Sequence, residues 1–227
     1  MGGWTEIAAQ DGHNLSVYAT SRGQSQLPSL VILQEIFGVT PEMQTLAERF
    51  SEHGYQVVVP ALYDRIRPNY VLAYDDAEVA RAAKNQLRYD EIAYDIRAAI
   101  SFADAGYGVA LLGHCWGGGL AYWFAQSNAV KAVVSYYGTN LAQYCSSPPP
   151  EAPCQFHLGI DDPMIDANAR SVIRESCRPS DEYFEYEGAG HAFANAARAS
   201  YREDSAALAE SRSLAFLEHV SAKSHFF

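Results

Sequence analysis

The sequence predicts an α/β protein with a mostly parallel central sheet and helices on both of its faces. Short apolar, β-branched runs alternate along the chain with longer segments of 3.6-residue periodicity, which is the pattern of such a fold. The runs are apolar without a break, which indicates strands that are buried on both faces. Since 227 residues of which 48% are apolar can bury one full core, we expect a single domain over residues 1–227.

The first predicted element is an antiparallel hairpin at the edge of the sheet. Its strands are the segments "TEIAA" and "NLSVYA", and Asp11 and Gly12 supply the turn between them. The other strands are predicted from the unbroken apolar runs, at residues 29–35, 55–60, 107–113, 130–137, 154–159 and 181–186.

Helices are predicted between and after these strands. The helix at residues 41–53 opens with Thr40, which can cap it, and Pro41, which suits its first turn. The segment 75–105 is rich in alanine and is expected to break near Tyr89. Further helices are predicted at residues 116–127, 165–176 and 201–220, and the proline-rich run at 146–153 is interpreted as a surface loop.

Charge and hydropathy argue against several classes of function. The formal net charge of −11 disfavours binding to nucleic acid or to an anionic membrane. Glu6 and Asp11 interrupt the N-terminal segment, so we do not expect a signal peptide, and no run approaches the roughly 20 apolar residues of a membrane span. We therefore expect a cytoplasmic protein that acts on a small molecule.

Three of the four cysteines have an ordinary interpretation. Cys145, Cys154 and Cys177 form no C-x-x-C pair and have no histidine at zinc-finger spacing, so no metal site is expected. We interpret them as small apolar residues that are buried or half-buried.

Cys115, the fourth cysteine, occupies the serine position of a G-x-S-x-G motif. The motif spans residues 113–117, "GHCWG", and it follows a predicted buried strand and precedes a predicted helix, which is the context that it requires. The flanking glycines permit a sharp turn, and a helix N-terminus favours the thiolate, which is the reactive form. Cys115 is therefore the candidate nucleophile; the alternative is a cysteine that only fills a tight turn.

A nucleophile needs a base, and the base needs a group that orients it. In this arrangement both follow the nucleophile along the chain, at the carboxyl ends of later strands. Asp161 and Asp162 follow the strand predicted at 154–159, and His191 lies in a glycine-rich loop after the last strand. His191 is the candidate base, and the residues alone leave either aspartate as the orienting acid.

Six segments together resemble the dienelactone hydrolase family of α/β-hydrolases: "LQEIFGVT", "VVVPALYDR", "GHCWGGGLA", "YYG", "FHLGIDDPMI" and "YEGAGHAFAN". The resemblance covers nearly the whole chain and implies the α/β-hydrolase fold and a Cys-His-Asp triad in which Asp162 is the acid. It also implies that Glu35 helps to control the ionisation of the thiol. A carboxylate at the end of a buried strand suits proton exchange because its charge is costly to desolvate. The alternative for Glu35 is an ion pair with an arginine such as Arg65.

The same resemblance assigns the oxyanion hole and the substrate contacts. In this fold the hole uses two backbone N–H groups, which here belong to Trp116 and Ile36. Phe37 is a candidate for the pocket wall, with core packing as the alternative. The candidate substrate contacts after the base are Phe193 and Asn195.

The chain departs from the family at the substrate clamp. The best-known members hold a substrate carboxylate with arginines and a small hydroxyl, whereas this chain has Asn195 where arginine is expected and Ala192 where serine is expected. Arg81 and Arg198 could substitute, with exposed helix arginines as the alternative. Without a bidentate clamp, we expect weaker selection for anionic substrates.

The expected activity is hydrolysis of an ester or lactone of a small molecule through a thioester acyl-enzyme, with no metal and no organic cofactor. Two alternatives stay open. One is a receptor for small molecules on a hydrolase scaffold, and the other is a thiol-based transferase or redox sensor that uses Cys115. The lack of an adjacent resolving cysteine argues against the redox sensor.

Overall fold

The computed structural model describes residues 2–21 and 27–223. It divides the chain into two compact units, Met1–Val109 and Ala110–Phe227. The single domain expected from length and composition stays a prediction. Helix and strand alternate through the second unit, and the first unit opens with the predicted hairpin.

The first unit contains four strands, β1 (Gly3–Ala8), β2 (Asn14–Ala19), β3 (Ser29–Leu33) and β4 (Val57–Pro60). Their order is β1-β2-β4-β3. β1 and β2 form the predicted antiparallel hairpin, β2 is antiparallel to β4, and β3 is parallel to β4. The helices of this unit are α1 (Pro41–Glu52), α2 (Ala77–Lys84) and α3 (Tyr89–Ala103), and a short 3-10 helix lies at Leu62–Arg65.

Helix ends in this unit follow the local chemistry. The Thr40 side chain accepts a hydrogen bond from the Met43 N–H at 3.4 Å, so it caps α1 as predicted. The predicted segment 75–105 consists of two helices, because α2 ends at Lys84 and α3 begins at Tyr89, where the break was expected.

A buried ion pair fixes the C-terminal end of the 3-10 helix. The Arg65 guanidinium donates to both carboxylate oxygens of Asp95 at 2.7 Å, and its Nη1 lies 2.9 Å from Asp11 Oδ2. These two carboxylates engage all three guanidinium nitrogens. Arg65, considered above as a partner for Glu35, therefore joins β-hairpin and α3 residues of its own unit.

The second unit contains four parallel strands with helices between them. The strands are β5 (Val109–His114), whose first residue closes the first unit, β6 (Val133–Tyr136), β7 (Cys154–Gly159) and β8 (Glu182–Tyr186), in that order across the sheet. The helices are α4 (Trp116–Ala125), α5 (Leu141–Tyr144), α6 (Ala167–Glu175) and α7 (Glu203–Lys223).

Two features of this unit differ from the sequence-based expectation. β8 was expected to be buried on both faces, but only Tyr186 is buried and the other residues of β8 are half-buried, because β8 is the last strand in the order. The four-residue helix α5 and the 3-10 helix of the first unit were not predicted, because one helical turn is too short to show a periodic pattern. In the described ranges of the chain, no helix combines the length and the apolarity that crossing a membrane requires.

Candidate active site

Cys115 lies in a strained turn between β5 and α4. Its backbone has φ 54° and ψ −119°, a left-handed φ that side-chain-bearing residues adopt at a cost of about 1 to 3 kcal/mol. Hydrogen bonds hold this conformation on both sides. The Cys115 N–H donates to the Tyr136 carbonyl at 3.0 Å, and the Cys115 carbonyl accepts from the N–H groups of Gly118, Gly119 and Thr139 at 3.0, 3.2 and 3.0 Å.

The glycines of the motif permit close backbone contacts. A Cβ at Gly113 would lie 2.1 Å from the Gly117 carbonyl oxygen, and a Cβ at Gly119 would lie 2.0 Å from the Thr139 carbonyl oxygen. No side chain fits at either distance, so the turn requires glycine at both positions.

We expect Gly113→Ala to lower the free energy of unfolding by at least about 2 kcal/mol, because the new methyl group collides with backbone that cannot rotate away. Urea denaturation followed by circular dichroism measures this. Gly3→Ala is the control, since a Cβ on the exposed strand β1 meets nothing within 4 Å. Equal denaturation midpoints for the two variants would contradict the prediction.

Three side chains of the second unit meet at the carboxyl ends of its strands. His191 Nε2 lies 3.1 Å from Cys115 Sγ, and His191 Nδ1 lies 2.8 Å from Asp162 Oδ2. Asp162 Oδ1 accepts a hydrogen bond from the Met164 N–H at 2.8 Å, which fixes the carboxylate. Asp161 has an exposed side chain, so Asp162 is the aspartate that contacts the histidine. A nucleophile, its base and an orienting acid would require distances of this kind.

Backbone and side-chain contacts hold the loop that carries His191. The Ser200 hydroxyl donates to the His191 carbonyl at 2.5 Å. Arg202 joins the two ends of the loop, because its Nε donates to the Gly188 carbonyl and its backbone N–H donates to the Phe193 carbonyl. Ala192, which follows the histidine, has a left-handed φ of 64°.

The surroundings of His191 raise its pKa from 6.5 to about 10. Burial acts against this by disfavouring the charged ring, but the hydrogen bonds with Asp162 and with Cys115 outweigh it. The raised pKa favours the protonated imidazole, whose Nε2 lies 3.1 Å from the Cys115 sulfur.

The three other cysteines lie around Asp181 in the same unit. Burial raises the pKa of the Cys145 thiol, raises that of Cys154 further, and raises that of Cys177 to about 11. The Asp181 carboxylate adds to all three shifts because it opposes a second negative charge. These thiols are neutral at pH 7, and Cys154 is buried while Cys145 and Cys177 are half-buried, in agreement with their interpretation.

The candidates for the oxyanion hole are backbone groups at the start of α4 and after β3. Trp116 is the first residue of α4, directly after Cys115, and its side chain is buried. Ile36, in the first unit, has its carbonyl fixed by the Tyr63 hydroxyl, which donates to it at 2.6 Å. Glu35 is buried in the same unit, and its carbonyl accepts from Gln34 Nε2 at 3.3 Å.

The candidate substrate contacts have different environments. In the first unit, Phe37 is buried and its ring packs 4.9 Å from that of Tyr74, whereas Arg81 is exposed on α2. In the second unit, Asn195 is buried and its side-chain oxygen accepts from the Ala197 N–H at 3.0 Å. Phe193 is fully buried there.

Two residues beside Cys115 and His191 had no role in the sequence-based interpretation. The Tyr137 ring lies 5.2 Å from that of His191, and the Tyr137 hydroxyl lies 2.8 Å from Nδ1 of His114, the residue before Cys115. The "YYG" segment at the end of β6 contains Tyr137 and was a signal for it, but a tyrosine at the end of a buried strand is usually a core residue. Across the described residues, no group of three or more His, Cys, Asp or Glu side chains is arranged as a metal site.

Solved structures identify the fold. A crystal structure from Klebsiella pneumoniae, provisionally assigned as a dienelactone hydrolase, matches with a TM-score of 0.84 at 26% identity, over 96% of this chain and 98% of that one. An alpha/beta hydrolase from a Medee basin deep-sea metagenome library matches with a TM-score of 0.69 over 97% and 98% of the two chains; at 15% identity, this likeness shows the fold alone. The chain has the predicted α/β-hydrolase fold.

Sequence comparison identifies the family. The sequence profile of the dienelactone hydrolase family matches residues 15–221. A carboxymethylenebutenolidase from Pseudomonas putida is 34% identical in an alignment that covers 96% of each chain. The chain belongs to the dienelactone hydrolase family and is a carboxylic ester hydrolase. The predicted family and enzyme class are therefore confirmed.

Proposed function

We propose that this hydrolase cleaves a lactone or ester of a small molecule through a triad of Cys115, His191 and Asp162. The observation that carries the proposal is the pair of distances on the imidazole, 3.1 Å from Nε2 to the sulfur and 2.8 Å from Nδ1 to the carboxylate. The relative from Pseudomonas putida, a carboxymethylenebutenolidase, supports a lactone as the substrate class.

The proposed first step is attack of the Cys115 thiolate on the substrate carbonyl carbon. The imidazolium of His191 stabilises the thiolate before attack and gives its proton to the leaving alkoxide oxygen. The carbon–oxygen bond breaks, and a thioester to Cys115 remains. The Trp116 backbone N–H is the proposed oxyanion donor of this unit, because it lies at the helix start directly after the nucleophile.

Neutral His191 then takes a proton from water, whose oxygen attacks the thioester and releases the acid and the thiolate. Asp162 holds the imidazole in one tautomer through both steps. Ile36 as a second oxyanion donor and Glu35 as a proton-exchanging group follow from the family resemblance. No step in this sequence requires a metal or an organic cofactor.

The proposed substrate preference follows from the clamp positions. Asn195 places a neutral amide where relatives are expected to place arginine, and its oxygen is already engaged by Ala197. We therefore expect neutral short-chain esters and lactones to be hydrolysed with a kcat/KM similar to that of cis-dienelactone. A kcat/KM for cis-dienelactone far above that for neutral esters and lactones would contradict this expected similarity. It would not contradict the triad.

Trapping the acyl-enzyme tests the thioester. Protein mixed with p-nitrophenyl acetate and quenched in acid is expected to carry one acetyl group on the peptide that contains Cys115, and neutral hydroxylamine should remove it. The peptide with Cys154 is an internal control, since that thiol is buried and neutral. Turnover with acetyl on another residue, or with no adduct sensitive to hydroxylamine, would exclude the thioester route.

This assay, together with peroxide treatment of wild type and His191→Ala, separates the alternative functions. A receptor would show neither turnover nor an adduct. A redox sensor would lose its free Cys115 thiol to peroxide in both wild type and His191→Ala, whereas the proposed hydrolase loses turnover in His191→Ala.

A further inference from the structure

Residues 136–139, the last residue of β6 and the turn after it, form a brace against the turn that carries Cys115. The Tyr136 carbonyl accepts from the Cys115 N–H, and the Thr139 N–H donates to the Cys115 carbonyl, both at 3.0 Å. A third contact joins side chains, because the Tyr137 hydroxyl lies 2.8 Å from His114 Nδ1. The brace therefore contacts the turn through the backbone on both sides of the nucleophile and through a buried hydrogen bond.

Tyr137 has a strained backbone and a fully buried side chain. Its φ of 38° is left-handed, which is rare for a residue with a large side chain, and its N–H donates to the His157 carbonyl at 2.7 Å. Surrounding contacts must fix such a conformation for it to persist, and conformations of this kind occur often at active sites.

The Tyr137 ring also contacts the loop that carries the base. It packs edge-to-face against the His191 imidazole, with ring centroids 5.2 Å apart at 64°, and against Phe193 at 5.5 Å. Aromatic pairs prefer this geometry, so the contact restricts rotation of the imidazole. One side chain thus contacts the base through its ring and the residue before the nucleophile through its hydroxyl.

We infer that Tyr137 is a positioning residue for His191, and that His114 fixes Tyr137 by binding its hydroxyl. The inference rests on the proposed function, since it concerns the alignment of His191 between Cys115 and Asp162. Rotation of the imidazole would lengthen both hydrogen bonds at once. A misplacement of about 1 Å in a catalytic group can cost about 10²-fold in rate.

A second tyrosine–histidine pair provides a matched control. The Tyr186 hydroxyl lies 2.7 Å from His157 Nδ1, and both residues are buried in the same unit. The Tyr186 ring packs on Phe193 and His157. In the part of the chain that the structure describes, no ring contact joins Tyr186 to His191. Tyr137→Phe and Tyr186→Phe therefore each remove one buried hydroxyl from a histidine, and only Tyr137 contacts the base.

The experiment compares three variants, Tyr137→Phe, Tyr137→Leu and Tyr186→Phe. It measures kcat, KM and the midpoint of urea denaturation, and it measures the His191 pKa by NMR of 13C-labelled histidine. We expect Tyr137→Leu to lower kcat by about 10- to 10²-fold with KM within about twofold, and to bring the His191 pKa below about 10. Tyr137→Phe keeps the ring and should show a smaller change in the same direction. Tyr186→Phe should shift the urea midpoint as Tyr137→Phe does, with the His191 pKa unchanged.

The role of His114 is tested by coupling. His114→Leu and Tyr137→Phe break the same hydrogen bond, so their effects on kcat should not add in the double variant. His114→Asn restores a polar group near the Nδ1 position and should recover part of the loss. Additive effects, or no recovery by asparagine, would overturn the role of His114.

Two outcomes would separate this inference from the proposed function. In the first, Tyr137→Leu leaves kcat and the His191 pKa unchanged, as the control Tyr186→Phe does, while Cys115→Ala is inactive. Tyr137 then does not position the base, and the triad stands. If Cys115→Ala and His191→Ala hydrolyse esters at the wild-type rate, the triad itself is wrong.

Discussion

Replacing Cys115 with alanine is expected to lower kcat for p-nitrophenyl acetate by at least about 10³-fold. The substitution removes the sulfur that lies 3.1 Å from His191 Nε2 and leaves no group to form the acyl intermediate. The turn should be retained, because backbone hydrogen bonds and glycine contacts hold it without the thiol. Initial rates at saturating substrate, with circular dichroism of both proteins, measure the effect.

Cys177→Ala is the matched control for this variant. Burial raises the pKa of the Cys177 thiol to about 11, so this thiol is neutral at pH 7 and we expect no change in kcat. If Cys115→Ala kept more than about a tenth of the wild-type rate, or if Cys177→Ala lost as much as Cys115→Ala, the assignment of the nucleophile would be wrong.

Replacing Asp162 with asparagine is expected to lower kcat by about 10³- to 10⁴-fold, since the imidazole loses the partner that fixes its tautomer. The carboxylate lies 2.8 Å from Nδ1 and is one cause of the raised His191 pKa, so that pKa should fall from about 10 in the variant. Steady-state kinetics and histidine NMR measure the two effects. Asp161→Asn is the control, because its exposed side chain is adjacent in sequence.

The same variant has a defined effect on stability. Protonation of His191 stabilises the folded state, because the pKa of His191 there is about 10 and its ordinary value is 6.5. This stabilisation is complete below pH 6.5 and is lost as the pH rises to about 10. The gap in free energy of unfolding between wild type and Asp162→Asn should therefore narrow over that interval. If this difference in free energy of unfolding widened with pH, Asp162 would not be the partner of His191. Equal losses of kcat in Asp161→Asn and Asp162→Asn would exclude it too.

The order of elements could be predicted from the chain because its strands are short, apolar and well separated. β7 has the predicted bounds, Cys154–Gly159, since Pro153 precedes it and a turn follows. β6 is shorter than predicted: residues 130–132 precede the strand, and Val130 and Lys131 are half-buried. Apolar composition indicated a strand there but could not indicate where pairing begins.

The candidate site could be predicted only in part. The glycine spacing around Cys115 and the loop of His191 follow from local chemistry, but the choice between two adjacent aspartates came from the family resemblance. The turn after β7 directs the Asp162 side chain to the histidine and exposes that of Asp161. Tyr137 was not foreseen, because its contacts join segments far apart in the chain and no spacing rule connects them.

The raised pKa values around Asp181 affect how this protein can be quantified. Since the thiol pKa values of Cys145, Cys154 and Cys177 are raised, we expect a brief exposure to an alkylating reagent at pH 7 to label Cys115, whose sulfur lies 3.1 Å from His191 Nε2. The amount of label bound would then count competent active sites in a preparation. Specific activity could be expressed per working molecule rather than per milligram.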